Sequence, residues 1–95
     1  MIVNSVMMKV KPNRTGDIPA AIGKLLSMNG KIATLKEVIV HKDIAHGGRS
    51  YDILQITKFE DMSDFNNYVK DPYHAEVGKF IVEIMEDIVS VCYEE

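Results

Sequence analysis

A chain of 95 residues, 46% hydrophobic and 26% charged, has room for one globular domain spanning residues 1–95 and no second one. With 11 Lys plus Arg against 14 Asp plus Glu, its net charge of -3 offers no general attraction to nucleic acid or to anionic membranes. The one cysteine, Cys92, excludes an internal disulfide and a cysteine-only metal site and fits a reducing compartment. The run from Met1 to Val10 is broken by Asn4, Ser5 and Lys9 and has no basic leader, so it reads as neither a signal peptide nor a membrane span. The expected location is cytoplasmic.

Ile2 to Val10 is rich in β-branched residues and apolar at both parities, with Ile2, Val6, Met8 and Val10 on one face and Val3 and Met7 on the other. This predicts a strand buried on both sides. Lys11, Pro12 and Asn13 end it, and Asp17 is placed to cap a helix whose Ile18, Ile22, Leu25 and Leu26 follow one helical face. Asn29 and Gly30 stop that helix. Leu35 to Lys42 and Tyr51 to Phe59 read as two antiparallel strands joined by a polar loop containing Gly47 and Gly48. Asp61 caps a short helix through about Val69, and Asp71 with Pro72 repeats the cap-then-proline signature for a longer one. Its stripe comprises Val77, Phe80, Ile81, Ile84, Met85 and Ile88, and a last strand is expected from about Ile88 to Tyr93.

Strand, helix, strand, strand, helix pair, strand is the order of an α+β, ferredoxin-like domain: a four-stranded antiparallel sheet with its helices on one face. Val3, Met7, Val38, Val40, Leu54, Ile56, Val89 and Val91 occupy parities that cannot all face those helices. Soluble monomers seldom expose apolar patches of that extent, so a homodimer packed through the outer sheet face is expected.

The third strand, Tyr51-Asp52-Ile53-Leu54-Gln55-Ile56-Thr57-Lys58-Phe59-Glu60, followed by Tyr68-Val69-Lys70-Asp71-Pro72-Tyr73-His74, resembles the stress-responsive A/B barrel domain family over essentially the whole chain. The most specific element is Tyr68 with Pro72 and His74 in fixed spacing. The resemblance implies a dimeric α+β barrel and, more distantly, a likeness to olivetolic acid cyclase, a plant polyketide cyclase that closes a ring by aldol condensation. In that cyclase the residue matching His74 is the general base, and the tyrosine matching Tyr68 hydrogen-bonds the substrate carbonyl. The chain departs from the pattern at three positions. Asn4 stands for a histidine frequent on the opening strand, Leu25 for the cyclase's first-helix tyrosine, and Ile53 for its third-strand histidine. Leu25 and Ile53 cannot hydrogen-bond, so a many-hydroxyl polyketide would find fewer partners here.

His74 shares a helical face with Val77 and Ile81 and is expected to point inward and stay neutral, because burial and the positive helix end both disfavour imidazolium. It reads either as a general base or as a helix-start histidine satisfied by a backbone carbonyl or by Tyr68; Tyr68 reads either as a carbonyl donor or as an aromatic core filler. The remaining candidates have weaker patterns. His41 and His46 with Asp43 lack metal-ligand spacing, and Gly47-Gly48 opens no phosphate-binding helix. Cys92 is expected to be an inert, packed thiol. No motif calls for a cofactor or a metal. The leading expectation is a dimer holding a compact apolar or carbonyl-bearing molecule in a sheet–helix cavity lined by Asn4, Leu25, Ile53, Tyr68 and His74. The alternatives are a lyase or isomerase using His74 as base, and a purely structural accessory protein.

Overall fold

The computed structural model describes residues 1–95. Four strands, β1 (Ile2–Val10), β2 (Glu37–Lys42), β3 (Ile53–Phe59) and β4 (Met85–Glu94), form one sheet in the order β2-β3-β1-β4, and every neighbouring pair is antiparallel. Three α-helices, α1 (Ile18–Leu26), α2 (Met62–Lys70) and α3 (Pro72–Ile84), accompany it. This is the ferredoxin-like α+β plan that the element order implies.

The register sorts the strand residues into two faces. Ile2, Asn4, Val6 and Met8 of β1 lie opposite Phe59, Thr57, Gln55 and Ile53 of β3, and this row faces the helices. Ile2, Met8, Ile53 and Phe59 pack there with Ala21, Leu25, Val77 and Ile81 into one core. Val38 and Val40 of β2 also lean on that core, so they belong to the helix side and not to the outer face.

The other parity carries Met7, Leu54, Val89 and Val91 together on the outer face. Met7 is 46% and Val91 65% exposed, so the expectation that β1 is covered on both sides is not met within a single chain. Val3 is an exception, buried beside its register partners Lys58 and Tyr93.

Most element boundaries fall near where the capping and proline signals put them; the strand read over Tyr51 to Phe59 begins at Ile53, and three further boundaries differ for identifiable reasons. Pro12–Asp17 forms a turn of 3-10 helix, and the Asp17 carboxylate accepts from Arg14 Nε, so it makes no bond to a helix N–H. The strand of residues 35–42 begins only at Glu37, because Leu35 is still held in a turn by its N–H donating to the Ile32 carbonyl. The α3 stripe stops at Ile84. Met85 is already extended (φ -94, ψ 138) and pairs with Val10 across a register shift in β1, while Ile88 pairs with Met8 as part of β4. An apolar spacing of four suits a helix or one side of a strand equally, and here pairing with β1 decides.

Candidate functional site

Two aspartates set the geometry of the site. Asp61 Oδ1 accepts from the Asp64 N–H at 2.9 Å and starts α2; Asp71 Oδ1 accepts from the Tyr73 N–H at 2.8 Å and starts α3. Asp71 itself is extended (φ -64, ψ 134), as a residue before proline should be, and the chain breaks direction there. The break leaves Tyr68 at the end of α2 and His74 in the first turn of α3, with ring centroids 4.4 Å apart and tilted by 56°. Phe59 backs Tyr68 at 4.8 Å and Phe65 meets Phe59 edge-on at 5.3 Å, so an aromatic stack fixes the phenol from behind.

These rings form one wall of a cavity of about 280 Å³ between the sheet and the helices. Asn4, Val6, Met8 and Gln55 supply its floor, Leu25 and Met28 one side, and Tyr68, His74, Val77 and Ile81 the roof. Eleven of the 15 lining residues are hydrophobic and none is Asp, Glu, Lys or Arg. Val69, Val82 and Ile88 line the cavity and are also exposed, so it opens on the side of β4.

Burial governs the titratable groups here. Desolvation pushes the Tyr68 phenol up to about 12, only partly offset by the hydrogen bond from Gln55, so at neutral pH it is an O–H donor. Desolvation also lowers the His74 pKa below its ordinary 6.5, against the opposing pull of the Val69 backbone carbonyl and the Asp71 carboxylate. His74 is therefore a neutral imidazole near pH 7. The hydrogen bonds of the phenol are long: Gln55 Nε2 donates to Tyr68 Oη at 3.5 Å, and Tyr68 Oη donates to Met28 Sδ at 3.8 Å, a poor acceptor. A ligand oxygen would be a better partner for that proton.

Asn4, Leu25, Tyr68 and His74 come together around this space, whereas Ile53 does not. Ile53 is 2% exposed in the core and lies outside the lining. Gln55, two residues on, is the third-strand residue that reaches the cavity, and the sequence reading missed it. Its signal was a lone amide at the helix-facing parity Ile53, Gln55, Thr57, Phe59, next to the one hydroxyl in that row.

The other candidates lie elsewhere. His41 and His46 are exposed, and Asp43 accepts from the His46 backbone N–H at 2.7 Å, a loop-forming bond that also holds its carboxyl below the usual range. No group of three or more His, Cys, Asp or Glu side chains is arranged to hold a metal ion. Cys92 is exposed and not packed, as is every residue of β4 after Met85. No helix is long and apolar enough to cross a membrane.

The fold and cavity define a ferredoxin-like α+β domain with a small, mainly apolar internal site. Over residues 2–95 the sequence matches the family model described as Stress Responsive A/B Barrel Domain, and the chain belongs to that family. Among solved structures, a dimeric ferredoxin-like protein of unknown function from Thermobifida fusca superposes with a TM-score of 0.88 at 20% identity, covering 99% of this chain and 90% of that one. An Arabidopsis thaliana protein gives 0.89 at 15% identity over 100% and 95% of the two chains. Hydroxynitrile lyase from Passiflora edulis gives 0.85 at 18% identity over 97% and 90%. A search of curated protein sequences finds no match. At these identities the likeness is one of fold.

Proposed function

We propose that the protein is a homodimer whose subunits each hold one compact, uncharged, mainly apolar molecule with a carbonyl group in the cavity between sheet and helices. The observation that carries this reading is the pairing of Tyr68 and His74 at 4.4 Å in a lining of which eleven residues, Tyr68 included, are hydrophobic. The phenol has an O–H spent on a thioether, the imidazole is neutral, and no charged side chain is present to balance a carboxylate or an ammonium group. Dimerisation is supported by the apolar outer face of the sheet and by the description of the Thermobifida fusca neighbour as dimeric. A cytoplasmic setting fits the free, exposed thiol of Cys92. The family's description is what supports a role in stress.

A second reading is favoured by the neutral state of His74. An unprotonated imidazole beside a phenol donor can remove a proton next to a carbonyl while Tyr68 Oη–H stabilises the charge that develops on oxygen, the elementary step of a lyase or isomerase. A panel of neutral ketones and β-dicarbonyls, followed by calorimetry and by proton–deuterium exchange at the carbon next to the carbonyl, separates the readings. Saturable binding without exchange identifies a binding protein; exchange that disappears in His74→Ala identifies an enzyme. Absence of binding across the whole panel, with the fold intact, would remove both.

A further inference from the structure

We infer that Gln55 is the specificity-determining residue of the cavity and that it selects a ligand carrying a hydroxyl group beside its carbonyl. The inference rests on the binding reading above and narrows its ligand class to neutral hydroxy ketones and their enols.

Gln55 sits in the middle of the sheet, on β3 between β1 and β2, and its side chain points to the helices, where it is 4% exposed. A carboxamide at such a place has two N–H donors and one carbonyl acceptor to satisfy. Within the chain it makes a single hydrogen bond, from Nε2 to Tyr68 Oη at a long 3.5 Å. Oε1 has no protein donor, yet Thr34 Oγ1 is the one buried side-chain oxygen or nitrogen sealed off without a partner. The Gln55 carbonyl is therefore open to the cavity that the residue lines.

The two groups then divide the work by chemistry. Tyr68 can turn its O–H from the Met28 sulfur toward a ligand carbonyl, and Gln55 Nε2–H continues to donate to the phenol oxygen and so strengthens it as a donor. Gln55 Oε1, on the same carboxamide, is left to accept from an O–H on the neighbouring ligand carbon. A simple ketone satisfies Tyr68 and leaves Oε1 dry and unpaired, which penalises it. The structural alternative, a core amide that only props Tyr68, predicts no discrimination between the two ligands.

The test compares butyroin with butyl propyl ketone, the same carbon chain without the hydroxyl, by calorimetry and by NMR of the Gln55 side-chain amide in the intact protein. Butyroin should bind roughly 10- to 100-fold more tightly, and its titration should shift the Gln55 side-chain N–H resonances more than the ketone does. Gln55→Met, which keeps the length and removes both polar groups, should bring the two affinities within about threefold by weakening butyroin. Equal binding of the two by the wild type, or a ratio preserved in Gln55→Met, overturns the assignment to Gln55 and leaves the cavity reading standing. Should Gln55→Met fail to fold, the wild-type amide shifts decide: silence at Gln55 while Tyr68 and His74 resonances move overturns the assignment. Silence at all three residues with both ligands overturns the cavity reading, and this inference falls with it.

Discussion

The Tyr68 and His74 rings meet at 4.4 Å although they belong to different helices, and the residues that bring them together are Asp71 and Pro72 between them. Asp71 Oδ1 accepts from the Tyr73 N–H and so satisfies one of the donors that a helix start leaves free. Asp71→Ala should cost about 1 kcal/mol, lowering the melting temperature by roughly 4–8 °C in a domain of this size. Because the cap also fixes the angle between α2 and α3, the near-ultraviolet circular dichroism of the tyrosines should weaken in the folded variant. Asp71→Asn retains a capping oxygen and should recover most of both signals. A variant Asp71→Ala with wild-type melting and spectrum would show that packing, not the cap, sets the junction.

His74 gives the folded state a distinct response to acid. Its folded pKa lies below the ordinary 6.5 because of burial, so as pH falls below about 6.5 the unfolded chain takes up a proton that the folded chain refuses. Stability is therefore lost on acidification between about 6.5 and the folded pKa, and above that window His74 costs nothing. The loss is modest, since the group is only half-buried and the Asp71 carboxylate opposes the shift. His74→Gln, which has no titrating group, should show a flatter melting temperature between pH 7 and pH 5 than the wild type. Parallel curves would mean that His74 protonates freely in the folded protein.

Much of the fold was legible because its signals are local. Asp61 and the Asp71-Pro72 pair mark helix starts by hydrogen bonds made within three residues, and both starts lie where those residues put them. The boundary between α3 and β4 was not legible, because Ile84 and Ile88 are four apart and that spacing serves a helix face as well as the side of a strand. What decides it is the pairing of Met85 with Val10, a contact between residues 75 apart in sequence that no local pattern reports. The site shows the same division. Tyr68 and His74 carried their own spacing, whereas Ile53 and Gln55 share one face of β3, and only tertiary packing separates them, Ile53 in the core and Gln55 on the cavity. Cys92 was misread for a related reason. A strand of apolar neighbours looks buried in sequence, but β4 lies at the edge of the sheet and is exposed at every residue after Met85.

The outer sheet face supplies the third expectation. Met7, Leu54, Val89 and Val91 cluster around Ser5 in a mainly apolar surface on the side away from the helices, and Val91 at 65% exposure has the most area still to bury. Val91→Glu would place a charge in the proposed two-fold interface and, with its symmetry mate, a second one nearby, so the dimer should weaken by at least 100-fold. Sedimentation velocity at micromolar concentration should show a dimer for the wild type and mainly monomer for Val91→Glu, with helical content unchanged. A wild type that sediments as a monomer, or a Val91→Glu protein that stays dimeric, would place any interface elsewhere.

Replacing Tyr68 by Phe isolates the hydroxyl group while leaving the ring against Phe59 and His74. In the folded protein that hydroxyl is held neutral by burial, donates to Met28 Sδ at 3.8 Å and accepts from Gln55 Nε2 at 3.5 Å, two long and weak bonds, so the stability it adds to the free protein is small. Tyr68→Phe should therefore melt within about 3 °C of the wild type. Its effect should appear with a carbonyl ligand. If the protein only binds, the loss of one hydrogen bond to a ketone oxygen in a largely apolar cavity should weaken affinity by about 5- to 20-fold. If the protein also moves a proton, the same hydrogen bond strengthens as charge gathers on oxygen, and exchange at the neighbouring carbon should slow by roughly 10- to 1000-fold, beyond the loss in affinity. The pH dependence separates the two cases further. A base that works as neutral imidazole gives a rate that rises with pH and levels off at or below about 6.5, in the direction set by the burial of His74. His74→Ala should then abolish exchange and leave the dimer intact. Equal affinities for Tyr68→Phe and the wild type, measured with the same ketone, would exclude the Tyr68 hydroxyl as the carbonyl donor in either case.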